Sequence, residues 1–257
     1  MKSYLIDDLR DCLIQGGLSG SELVMVHSSL FGLGRLRNHT AKETPSAIAE
    51  CIQGVVGPAG TIVVPAFCFD FCRGKVFDRQ NSPSEKMGVF SEWIRRLPTA
   101  KRSKHPMQSV AAIGPLANSI CNCETASAFD EGGAFDKMRL KDAKLILLGV
   151  NFQAASVIHF SEQKIGVPYR YWKDFTGPYH DQGQESSKTY RMYVRDLELD
   201  PKLRMDPIEQ ELIERKQIQH IPIGAGLVRI CSFQDLIAAA DDCLAKDPWC
   251  LAPDSKK

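Results

Sequence analysis

Three short segments carry the side chains able to do chemistry. The first, Val26-His27-Ser28-Ser29-Leu30, closes an apolar run that begins at Leu23. Two adjacent hydroxyls and their backbone N–H groups just past a strand suit an anion, because ligands of open α/β sheets collect beyond the carboxyl ends of strands. The second runs from Arg102 to Ser109 and groups Arg102, Ser103, Lys104, His105 and Ser109 just before another apolar run. Such a set can hold phosphates through charge-assisted hydrogen bonds. The third contains His159 and Glu162. Three residues apart on a helix, they share one face. A carboxylate beside an imidazole raises its basicity and fixes its orientation, as a general base requires.

Each segment also has a plainer reading. His27 can be bonded inside a Ser-rich turn, Arg102–Ser109 can be a solvated basic loop, and His159–Glu162 can be a structural pair. Convergence favours chemistry at the third. His159 follows an apolar run ending at Gly149-Val150, which places it near the same sheet edge as Ser28. Other chemistries lack their residues. There is no Gly-x-Gly-x-x-Gly or Gly-Lys-Ser/Thr phosphate loop and no Gly-x-Ser-x-Gly elbow. Cys68, Cys72, Cys121 and Cys123 lack the further ligands of a zinc site, so no metal is expected.

The elements that must position these residues alternate along the chain. Ser3 is placed to cap a first helix that stops at Gly16-Gly17. Leu23–Val26 reads as a buried strand, Thr44-Pro45 opens a helix to Val56, and Thr61–Pro65 is the next strand. Residues 67–83 read as a loop, and Ser84 as the cap of a helix from Glu85 to Leu97. Strands follow at Ser109–Ile113 and Leu145–Val150, then a helix from about Ala154 to Ile165. Alternation around Tyr190–Val194 predicts antiparallel strands. A charged helix is expected over 206–216, short strands on either side of Gly224–Gly226, and a final helix capped by Ser232. The pattern implies one α/β domain over residues 1–257, with a smaller β-rich C-terminal part.

Composition sets the bounds. The chain has 257 residues, 44% hydrophobic and 25% charged, with a formal net charge of +1. No sequence-wide charge favours nucleic acid or an anionic membrane. No apolar stretch reaches the ~18 residues of a membrane-spanning helix, and the acidic N-terminal segment lacks the pattern of a signal peptide. Nine scattered cysteines, with no Cys-x-x-Cys pair, fit reduced thiols in a cytoplasmic protein.

Taken together, the segments resemble the aminoglycoside 3-N-acetyltransferase family. The matching stretches are VMVHSSLFGLG, GPAGTIVVPAF, SPSEKMGVFSEWIRRLP, RSKHPMQSVAAIGPLA, LILLGV and VIHFSEQ…VPYRYWK, in family order, with IGAGLVRICSFQDL near the C-terminus. The resemblance implies a three-layer α/β/α core and acetyl-CoA as donor. It also implies coenzyme-binding loops at His27, Ser28, Ser29 and Leu30 and at Arg102, Ser103, His105 and Ser109. His159 and Glu162 match the family's catalytic pair. Glu131–Met138 lacks the Ser-Pro that the family often has there.

The implied reaction is direct acetyl transfer, in a ternary complex, to an amine of an aminoglycoside-like small molecule. A biosynthetic amino sugar, nucleotide-linked or of a surface polysaccharide, is the alternative acceptor. Two readings from other classes are a coenzyme- or sugar-binding protein without turnover and a cysteine-dependent acyl enzyme. A homodimer is compatible with the sequence.

Overall fold

The computed structural model describes residues 2–20 and 22–255. Its first half comprises β1 (Ser3–Tyr4), α1 (Ile6–Gln15), β2 (Leu23–Ser28), α2 (Leu30–Leu33), β3 (Arg35–Leu36), α3 (Thr44–Val56), β4 (Thr61–Pro65), β5 (Phe77–Asp78), α4 (Gly88–Arg95), β6 (Lys101–Arg102), β7 (Val110–Ile113) and α5 (Ala117–Cys121). Then come α6 (Ala134–Leu140), β8 (Lys144–Leu148), α7 (Ile158–Ile165), β9 (Arg170–Asp181), β10 (Gln184–Arg195), α8 (Asp206–Glu214), β11 (Ile218–Ile223), β12 (Gly226–Ser232) and α9 (Phe233–Lys246). A seven-stranded mixed sheet has the order β11-β12-β8-β2-β4-β7-β6, and β10, β9 and β5 form a separate three-stranded sheet. No helix among the described residues is long and apolar enough to cross a membrane.

The central strands are continuous apolar runs because both of their faces are covered. Leu23, Met25, Val63, Leu145 and Leu147 point into one core, with Phe135 of α6, Ile158 of α7, Ile208 of α8 and Leu236 of α9. The alternate residues Val24, Val26, Ile62, Val64, Ile146 and Leu148 point into the other, with Leu9 of α1, Ile48 of α3 and Phe90 of α4. Burying each such side chain stabilises by about 1.5–3 kcal/mol. A one-residue slip would exchange the two sets, so register is firmly specified.

This arrangement builds the site. Strands β4 and β8 flank β2, both parallel to it. The chain leaves β2 towards β4 and leaves β8 on the side of β12, and ligands of open α/β sheets collect at the carboxyl edge where the strand order reverses in this way. The backbone N–H of Ser29 donates to Leu148 O at 2.8 Å there. The neighbouring loops approach backbone to backbone. Gly149 has φ 65° and a Cβ on it would lie 2.6 Å from Ser29 O, while one on Gly32 would lie 2.1 Å from Gly149 O. Only glycine fits either position.

Several sequence expectations change. Ser3 does not cap α1; it pairs with Arg35 in a short parallel ladder. The Asp8 carboxylate instead accepts from the Leu5 N–H at 2.7 Å, satisfying the helix start from within. Helix α4 begins at Gly88, later than expected, because Ser84 donates its N–H and hydroxyl to Glu92 Oε2 at 3.1 and 2.8 Å. The loop over 67–83 contains a 3-10 turn and β5. Helix α7 starts at Ile158, after a separate 3-10 turn at Phe152–Ala154.

The C-terminal strands divide between two sheets. Strands β9 and β10 form a long hairpin, whose turn residues Gln182 and Gly183 both have positive φ, as a tight two-residue turn requires. Strands β11 and β12 extend the large sheet through the antiparallel pairing of β12 with β8.

Candidate active site

His159 stands in the first turn of α7, and Glu162 lies one turn on. Their side chains meet at 2.5 Å, His159 Nδ1 to Glu162 Oε2. Glu162 is fully buried, whereas the His159 side chain keeps 28% of its exposure. Burial alone would raise the Glu162 carboxyl. The charges and hydrogen bonds of His159 and Arg170 outweigh it and hold the group well below the ordinary carboxylate range. Glu162 is therefore ionised and can only accept, so Nδ1 carries a proton and donates to it, which leaves Nε2 as the ring nitrogen without a hydrogen-bond partner among the described residues. Arg170 Nη2 lies 3.0 Å from the same carboxylate oxygen and 3.4 Å from Nδ1, so its stronger contact is with the carboxylate. Tyr169 donates its hydroxyl to Glu162 Oε1 at 2.9 Å. The edge of Phe129 packs against the His159 ring at 5.9 Å. The loop carrying Phe129 is tied to α7 by Ser127 Oγ donating to Gln163 Oε1 and by Gln163 Nε2 donating to Asp130.

The end of β2 is linked to this group. Burial lowers the pKa of His27 to about 4, leaving a neutral imidazole whose Nε2 meets Ser156 Oγ at 3.2 Å. The Ser156 carbonyl accepts the N–H of His159 at 3.2 Å. Ser29 caps α2, its hydroxyl accepting from Gly32 N, and Leu30 is the first residue of that short helix. Ser28 differs from its neighbours: its Oγ is buried with no hydrogen-bond partner among the described residues.

The loop from Arg102 to Ser109 is consumed internally. Arg102 donates to Ser109 Oγ at 3.1 Å, to Ser82 O at 2.5 Å and to Ala66 O, and its guanidinium lies over the Phe77 ring. Ser103 Oγ accepts from Val110 N, and Ser109 donates to Ala66 O. His105 Nδ1 accepts from Gln108 N and Nε2 donates to Arg191 O, both at 3.2 Å. Burial lowers the His105 pKa to about 4, so it carries no cationic charge at neutral pH. These donors serve backbone carbonyls and one another. Arg102 lines a cavity of about 640 Å³ with Arg79, Arg95, Arg96 and Lys101, which has no lining residue in common with the cleft at His159.

That cleft has a volume of about 830 Å³ and includes His159, Arg170, Gln108, Phe69 and Met192 in its walls. The sequence reading missed Gln108 and Arg170. Both have a buried polar atom without a partner, Gln108 Oε1 and Arg170 Nε. It also missed Tyr169, although Tyr169-Arg170 falls inside the VPYRYWK stretch. No cysteine lines the cleft, and burial pushes every thiol above its ordinary value, that of Cys121 to about 12. The thiolate that a cysteine-dependent acyl enzyme needs is thus disfavoured. No group of three or more metal-ligating side chains occurs among the described residues.

Comparison with known proteins gives consistent matches. The family model for aminoglycoside 3-N-acetyltransferase matches residues 25–245. Aminoglycoside N(3)-acetyltransferase IV from Salmonella sp is 28% identical over 239 residues, spanning 92% of this chain and 85% of the relative. A solved structure of a mutant aminoglycoside acetyltransferase AAC(3)-IVa in complex with a gentamicin superposes with a TM-score of 0.78 at 25% identity. It covers 98% of this chain and 92% of that one. The binary complex of AAC-IIIb with CoASH shares the fold at a TM-score of 0.79 and 20% identity, covering 95% and 97% of the two chains.

Proposed function

Because the chain belongs to the aminoglycoside 3-N-acetyltransferase family, we propose that it moves an acetyl group from acetyl-CoA to an amino group of a sugar-like acceptor, with His159 as general base. The observation that carries this reading is the His159–Glu162 pair in the wall of the cleft, with Nδ1 engaged and Nε2 free. Two of the relatives name the co-substrates: one is a complex with CoASH, another with an aminoglycoside. The buried, unpartnered Ser28 Oγ fits a ligand rich in amide and phosphate oxygens. Ser28, Ser29 and Leu30 would hold the coenzyme. Arg102, Ser103, His105 and Ser109 act indirectly in this reading, by fixing the loop that carries Gln108. The three-layer α/β/α core belongs to the same reading, supported by helices packed on each face of the large sheet.

Acetyl-CoA supplies the activated acyl carbon. The acceptor nitrogen forms the new C–N bond as the thioester C–S bond breaks, and no acyl-enzyme is required. His159 Nε2 takes the proton lost by the amine and returns it to the departing sulfur, so the products are an amide and the free thiol. Glu162 keeps the ring oriented and offsets the transient positive charge. Tyr169 and Arg170 hold Glu162 in turn.

The test is acceptor-dependent thiol release from acetyl-CoA across aminoglycosides and amino sugars. Release that depends on the amine supports transfer. Tight coenzyme binding with no release would leave a binding protein without turnover. Loss of release on thiol alkylation would favour the cysteine route.

A further inference from the structure

The cleft beside His159 holds few acids. Its charged lining residues, apart from His159 itself, are Arg170, Arg195, Lys202 and Asp200. Arg170 is neutralised by Glu162. Arg195, Lys202 and Asp200 are exposed and form no ion pair among the described residues. The unpaired charges at the cleft are therefore two positive and one negative. Polycationic acceptors need the opposite balance, since several ammonium groups must shed water against carboxylates. Gln108 adds an independent sign of an absent ligand: the residue is only 8% exposed, it lines the cleft, and its Oε1 has no partner. A buried amide oxygen left unsatisfied is unfavourable unless a donor arrives. An acceptor's N–H or O–H would supply it.

We propose that the acceptor is an amino sugar bearing an anionic group such as a phosphate, with the anion on Arg195 and Lys202 and a donor of the sugar on Gln108 Oε1. This rests on the transferase reading and names the acceptor class for the same site. Arg195 closes strand β10, and Lys202 lies on the segment between β10 and α8. The two cations thus belong to adjoining stretches of chain, and both line the cleft.

The same cations could serve phosphates of the coenzyme, so the test varies donor and acceptor separately. Thiol release is followed for glucosamine, glucosamine 1-phosphate, glucosamine 6-phosphate and gentamicin with acetyl-CoA, and for the preferred acceptor with acetyl-pantetheine. The expected result is a kcat/KM for one of the phosphorylated sugars about tenfold or more above that for glucosamine, with gentamicin below both. In the Arg195→Ala/Lys202→Ala double variant that ratio falls towards one. A tenfold ratio corresponds to about 1.4 kcal/mol. Preference for gentamicin, or no preference for either phosphate, overturns the proposal and leaves the transferase reading standing. A double variant that raises KM for acetyl-CoA but not for acetyl-pantetheine, with the acceptor ratio intact, assigns the cations to the coenzyme and also overturns it. Absence of thiol release with every acceptor overturns the transferase reading and the proposal together.

Discussion

At the start of α7 an imidazole leans on a buried carboxylate and keeps a quarter of its surface open to a cleft. In the loop between β6 and β7 another imidazole, His105, is buried and bonded only to two backbone groups. Both segments join histidine to hydroxyls and cations, and the sequence alone offered both as sites. Their partners set them apart. An ionised carboxylate fixes one ring nitrogen of His159 as donor and leaves the other as a base. A carbonyl and an N–H fix both nitrogens of His105, and burial holds it neutral. The first arrangement can exchange a proton with a ligand, whereas the second holds a loop.

The largest expected stability effect is at Glu162. Glu162→Leu leaves Arg170 buried without its carboxylate, and removing one partner of a buried pair typically destabilises by about 3–5 kcal/mol. Urea unfolding at neutral pH measures it, and a loss below about 1 kcal/mol would mean the pair is already solvated. The pH dependence has a definite sign. The Glu162 pKa is depressed by folding, so its contribution is present above the ordinary carboxylate range and lost as pH falls through the folded value.

Arg102→Ala separates the two accounts of the loop. Losing charged hydrogen bonds to Ala66, Ser82 and Ser109 should cost about 1.5–3 kcal/mol or more. Any loss in donor use should be equal for acetyl-CoA, acetyl-dephospho-CoA and acetyl-pantetheine. A selective loss with the fully phosphorylated donor would restore direct phosphate contact.

The buried histidines give a smaller, pH-dependent effect. His27 and His105 have folded values near 4 against 6.5 for the free imidazole. Between those values the unfolded chain binds the extra protons. Stability therefore holds above pH 6.5 and declines as pH falls towards 4, by up to about 1.4 kcal/mol per unit for each residue. Thermal melts of wild type and His105→Asn across that window check this, and an unchanged slope in the variant would show that His105 is solvated. Smallest of all, Ser28→Ala removes a hydroxyl with no partner, so stability should change by less than about 0.5 kcal/mol. The KM for acetyl-CoA should nevertheless rise measurably. An unchanged KM would take Ser28 out of the coenzyme site.

The same contrast shows which features the sequence could disclose. Helix α3, the central strands and the Ser232 cap were readable because each rests on local periodicity and capping chemistry. The His159–Glu162 spacing was readable as one helical face. Tyr169 and Arg170 were not, because they reach Glu162 only after the chain turns back at Gly166, which has φ 74°. The charge of Arg102 was plain, but its acceptors at Ser82 and Ala66 lie 20 and 36 residues away. Ser84 looked like a cap until Glu92, eight residues on, took its hydrogen bonds.

The most direct test is to compare His159→Ala with His105→Ala at saturating acetyl-CoA and acceptor, measuring turnover, coenzyme affinity and melting temperature for each. His159→Ala should keep its fold and coenzyme affinity while kcat falls by about 10²–10⁴-fold, the usual contribution of a positioned general base. His105→Ala should melt earlier, with kcat of the folded enzyme reduced by less than about tenfold, the equivalent of 1.4 kcal/mol in barrier. A folded His159→Ala enzyme with near-normal turnover would contradict the assignment and place the base elsewhere.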